Sequence, residues 1–131
     1  MKKNKKYLIP LLVTACLIPT TINAAVGTIS ISGATLSVGE TKTLEISLSS
    51  GLTAAAGNIE SNDTSCVEVV TVTSTYGVPE NKQFAEMGAN LTRGGTVTIK
   101  GLKNCETTLR VVNGALSTDD AEDEELTVTS G

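Results

Sequence analysis

The chain has 131 residues, 18% of them charged and 2% aromatic, with no His and no Trp, a length that suits one domain. Without imidazole it has no side chain whose ordinary pKa falls near neutrality, which excludes His-based catalytic triads and His-ligated zinc sites. With so few rings it also lacks the stacking platforms on which nucleic-acid surfaces and most sugar sites depend.

Residues 2–6 read Lys-Lys-Asn-Lys-Lys, and residues 7–19 are apolar apart from Pro10 and Thr14. A basic start followed by a short apolar run is the pattern of a secretory leader, and the run is shorter than the ~20 residues a membrane-spanning helix needs. Pro19 interrupts the run, residues 20–23 are mostly polar, and Ile22 and Ala24 stand three and one residues before a cut after Ala24. This divides the chain into a leader, residues 1–24, and a domain, residues 25–131. A second cut is written into Val13-Thr14-Ala15-Cys16, which resembles a bacterial lipobox and would make Cys16 the lipidated first residue. The apolar run continues through Leu17 and Ile18, which favours the cut after Ala24. The product is expected to be secreted or held at the cell surface, with no transmembrane segment.

Four of the ten basic residues lie in the leader, so six face fourteen acids in residues 25–131, a formal charge of −8. Such a field repels phosphate backbones, so nucleic acid is not expected as a partner. A protein or a glycan at the cell surface is.

Beyond the leader the pattern alternates with period two. Ile29 and Ile31 oppose Thr28, Ser30 and Ser32; Leu44, Ile46 and Leu48 oppose Thr43, Glu45 and Ser47. Val97 with Ile99, Leu109 with Val111, and Leu126 with Val128 continue it, as half-buried strands do. In residues 67–72 the phase changes, since Val67 and Val69 share one face and Val70 and Val72 the other, which predicts a bulge near Val69 and Val70. Turn signals stand at Ser37-Val38-Gly39-Glu40-Thr41, Ser50-Gly51, Asn62-Asp63, residues 77–79, Arg93-Gly94-Gly95 and Asn113-Gly114. No stretch carries a helical stripe. Short alternating strands between such turns predict an all-β fold, an antiparallel immunoglobulin-like β-sandwich of about seven strands.

The run Thr28-Ile29-Ser30-Ile31-Ser32-Gly33-Ala34-Thr35-Leu36-Ser37-Val38-Gly39-Glu40-Thr41-Lys42-Thr43-Leu44 resembles the opening of bacterial immunoglobulin-like group 2 domains and of the related cohesin-like sandwiches. Residues 58–67, with Ser61-Asn62-Asp63-Thr64-Ser65, are similar to the turn between strands in those domains. Gly94-Gly95-Thr96-Val97-Thr98-Ile99-Lys100-Gly101 and residues 105–112 are similar to their late strand pair. The resemblance implies spacer, adhesin or binding modules on bacterial surfaces, and it implies no catalytic residue.

Two cysteines remain after the leader, Cys66 and Cys105, each at the start of an expected strand. Outside the cell such a pair is most simply a disulfide. A catalytic or metal-binding thiol pair is the alternative, and it needs His or acidic partners at fixed spacing. Residues 119–125 hold six acids. They read as a solvated acidic loop that hinders edge pairing by the last strand. Weak Ca²⁺ binding is the alternative, through Asp119, Asp120, Glu122 and Asp123, although the spacing is not that of an EF-hand. No other cofactor is expected. Tyr76 and Phe84, in the less regular residues 76–87, read as core fillers or, alternatively, as contacts of a binding loop. The sequence as a whole predicts a non-catalytic exported interaction module of adhesion or scaffold type. A Ca²⁺-dependent or carbohydrate-binding module and a subunit of a surface assembly are the alternatives.

Overall fold

The computed structural model describes residues 14–24, 26–75, 82–118 and 121–128, with the backbone alone for residues 24 and 121–128. Ten strands are present: β1 (Thr14–Leu17), β2 (Thr20–Ala24), β3 (Gly27–Ile31), β4 (Ala34–Ser37), β5 (Thr41–Ser61), β6 (Val67–Thr73), β7 (Gln83–Gly101), β8 (Cys105–Thr107), β9 (Leu109–Thr118) and β10 (Ala121–Val128). There is no helix among the described residues, and the fold is all-β with antiparallel sheets as the alternation predicts.

A small sheet runs β4-β1-β8, with β1 antiparallel to β4 and parallel to β8. The large sheet is organised by β5 and β7, of 21 and 19 residues. One edge of β5 pairs with β7 along most of its length, and β6 pairs with the last residues of β7. The other edge is divided, residues 46–48 taking β3 and residues 52–61 taking β9. Beyond them lie β2 and β10, edge strands of the sheet, as is β6 on the side of β7.

The inward side chains form one core that includes Ile29, Ile31, Leu36, Ile46, Ile59, Val67, Val72, Val97, Ile99, Leu109, Val111 and Leu116. Each such aliphatic side chain stabilises by about 1.5–3 kcal/mol relative to exposure. The core is larger than residues 25–131 alone provide, because Ala15, Leu17 and Ile22 belong to it. Residues 14–17 and 20–24, assigned to the end of the leader, are therefore strands, and the described residues hold ten strands where about seven were expected.

Three expected turns are bulges within continuous strands. Between the pairs Glu45–Thr96 and Ser47–Arg93, β7 carries one residue more than β5, at Gly94-Gly95. Between Ala56–Ala115 and Asn58–Val112, β9 carries one more, at Asn113-Gly114, and Asn113 has φ 53°. In β5 the inward phase passes from Ile46, Leu48 and Leu52 to Ala55 and Ile59, across two shifts that flank Leu52, the first of which spans Gly51 with φ 91°. The bulge foreseen in residues 67–72 is present, since the register of β6 shifts between Val69 and Thr71. Val70 there is exposed, while Val69 and Val72 are buried.

Candidate recognition face

Strand β7 decides which residues face outward near the middle of the large sheet. Phe84 is fully buried, and its ring rests where two glycines leave room: a Cβ on Gly57 would stand 3.3 Å from Phe84 Cε1, and one on Gly94 3.1 Å from Cε2. With Phe84 turned inward, alternation sends Ala85 outward. Ala85 pairs with Ala56, which pairs with Ala115, so three methyl groups form a row across β7, β5 and β9. Beside the row Met87 pairs with Ala54 and is 67% exposed, the most exposed large apolar side chain described. Together they line a shallow apolar depression of about 210 Å³. Its far side is bordered by the acidic edge strand, where the backbone of Glu125 pairs with Ala115.

A polar depression of about 270 Å³ is lined by Thr75, Glu86, Asn90, Thr92 and Arg93, and Glu86 borders both. Glu86 Oε2 accepts a 2.8 Å hydrogen bond from the Thr75 N–H. Arg93 donates to Glu45 Oε2 at 3.0 Å, an exposed ion pair that adds little stability and leaves both side chains open to a partner. The Glu86 side chain, in phase with Phe84 and paired with the buried Ala55, leaves β7 on the side opposite Ala85 and Met87, so the apolar and polar depressions are separate patches.

The best-organised polar cluster lies at the end of β5. Arg110 donates to Glu60 Oε1 through Nε at 3.1 Å and Nη2 at 2.6 Å, and through Nη1 to Asn62 Oδ1 at 2.9 Å. Asn62 Nδ2 in turn donates to Thr108 Oγ1 at 2.6 Å. In the turn that follows, Asp63 Oδ1 accepts from Ser65 Oγ at 2.6 Å and from the Ser65 N–H at 3.0 Å. These bonds favour the ionised carboxylate, and with help from Lys103 they hold Asp63 below the usual carboxylate range. The shift is opposite to the one a general acid needs at neutral pH.

Cys66 and Cys105 form a disulfide, with Cα atoms 5.9 Å apart. Cys66 immediately precedes β6 in the large sheet and Cys105 opens β8 in the small one, so the bridge fastens the two sheets together. Cys16 is a free, half-buried cysteine in β1, its Sγ 3.5 Å from Thr35 Oγ1. Phe84 is a core residue, the first of the two roles expected for it, and burial leaves its ring no access to a ligand, so the alternative of a loop contact does not hold. Tyr76, Asp119 and Asp120 lie outside the described residues, as do the side chains of Glu122 and Asp123. The backbone of residues 121–125 is strand β10 and not the expected loop. Among the described residues no group of three or more His, Cys, Asp or Glu is placed to hold a metal ion, and no helix is long and apolar enough to cross a membrane.

Set against protein-family models, curated proteins and solved structures, the chain matches none. The functional reading therefore rests on chemistry and geometry. Sequence reasoning missed Met87 and the alanine row. The run Ala54-Ala55-Ala56 opposite Ala85-Glu86-Met87 was the available signal, since exposed strand positions usually carry Thr or charged residues in this chain.

Proposed function

We propose that the chain is a non-catalytic, exported bacterial interaction module, an immunoglobulin-like sandwich of the group 2 or cohesin-like kind, which binds a protein or glycan at the cell surface. The observation that carries this reading is the outward face of β7, β5 and β9, where an exposed methionine stands beside a row of alanines. The backbone of long paired strands is already ordered before binding, which favours recognition by a sheet face. The disulfide suits an oxidising compartment, in keeping with export.

The test is binding of the oxidised, exported protein to arrays of cell-surface proteins and of glycans, alongside the Met87→Lys variant. Met87 is largely exposed, so the variant should unfold within about 0.5 kcal/mol of the parent. The reading predicts binding that the variant loses at least tenfold. Equal binding by parent and variant would move the recognition site elsewhere, and failure to bind any array member would remove the reading.

A further inference from the structure

Two cuts are available to a leader peptidase, one after Ala24 and one between Ala15 and Cys16, and they leave very different molecules. We infer that processing falls between Ala15 and Cys16, so that Cys16 through Ala24 stay in the mature domain as the second half of β1 and all of β2.

The segment is built into the fold at every level. Leu17, Thr20 and Ile22 are each at most 4% exposed. The Ile18 N–H donates to the Thr107 carbonyl at 2.8 Å, and Thr20 Oγ1 donates to the buried Leu109 carbonyl at 3.3 Å. All five residues of β2 pair with β3, from Thr20–Ile31 to Ala24–Gly27. β1 is the middle strand of the small sheet, so β4 and β8 lose the strand that joins them if it is removed. The rest of the chain is also shaped to receive it. A Cβ on Gly33 would stand 2.6 Å from the Leu17 carbonyl oxygen and 2.8 Å from Pro19 Cδ, so the segment packs where only glycine leaves space.

The cut before Cys16 keeps the contacts of Leu17 through Ala24 and the second half of β1, with its pairings to β4 and β8. Among the described residues it removes only Thr14 and Ala15, of which Ala15 contributes one buried methyl group. Val13 and Ala15 then occupy the third and first positions before the cut, the aliphatic and small residues a leader peptidase accepts. The peptidase reads an extended chain, so both sites are chemically open to it. The products differ, and a product beginning at Ala25 lacks the centre of one sheet and an edge of the other.

This inference rests on the export reading, and the experiment separates the two. The full chain is expressed in a bacterial host, and the intact mass of the exported protein is measured for the parent and for Ala24→Leu. A mature mass beginning at Cys16, bare or carrying lipid, and unchanged start in Ala24→Leu are the expected results. An exported protein that begins at Ala25 overturns the inference and leaves export standing, whereas an uncut chain retained in the cytosol overturns both. Amide hydrogen exchange of the mature protein supplies a second readout. The Ile18 amide, bonded to Thr107, should be protected at least a hundredfold, and free exchange there would overturn the inference.

Discussion

Removing the bridge between Cys66 and Cys105 should weaken the fold by an amount the structure sets. The bridge spans a sequence separation of 39 residues. Closing a loop of that length lowers denatured-chain entropy enough to stabilise the fold by about 4 kcal/mol on the chain-entropy estimate. For a domain whose whole stability is of the order of 5–15 kcal/mol, that is a large fraction. The double variant Cys66→Ala with Cys105→Ala should therefore lose about 3–5 kcal/mol in urea unfolding, the loop term plus a small cavity at the buried Cys66. With a urea slope near 1.5 kcal/mol/M, the midpoint falls by about 2–3 M. Reduced parent protein should nearly coincide with the double variant, and added reductant should leave the variant's midpoint unmoved. A loss below about 1 kcal/mol, or a parent whose midpoint ignores reductant, would refute the reasoning, because both require a denatured chain that the bridge does not restrict.

Phe84→Ala should cost about 3–5 kcal/mol in the same assay, since the ring is buried over two glycines that cannot fill the space it leaves; a cost below about 1 kcal/mol would show that the ring is not core. Asp63 should titrate below about 3.9 in a carboxyl NMR titration. Because its folded pKa is depressed, its contribution to stability is fully present above the unfolded value and is lost as pH falls through the folded one. Asp63→Asn should therefore flatten the dependence of the urea midpoint on pH below about 4 relative to the parent. An Asp63 pKa at or above the ordinary value would contradict the hydrogen bonds from Ser65.

The strands were legible in the sequence wherever burial alternates cleanly, as at Ile29 and Ile31, Ile46 and Leu48, Val97 and Ile99, or Leu109 and Val111. The phase change at Val69 and Val70 was legible for the same reason, because valines at 67, 69 and 72 cannot share one buried face without an extra residue. The unbroken length of β5, β7 and β9 was not. Gly51, Gly95 and Asn113 all have positive φ, and a residue that permits a left-handed backbone serves a turn and a bulge equally well. Which one forms depends on pairing with distant strands, and local sequence does not encode that. The recognition face was hidden for a related reason. Ala54 and Ala56 acquire meaning only when Ala85, Met87 and Ala115 are brought beside them by pairings tens of residues away.

The parallel pair of β1 and β8 bears on how the molecule would carry a mechanical load. In the register Cys16–Glu106 and Leu17–Thr107, a pull on the amino-terminal end of the mature β1 acts along both strands. It must shear their hydrogen bonds together and cannot unzip them singly. The strand that resists begins at Cys105, which is covalently fastened to Cys66 beside β6. Tension entering the small sheet thus passes through a covalent bond into the large one before the core between them is strained. A domain tethered near β1 would hold against force through its smallest sheet, so long as the disulfide stays oxidised.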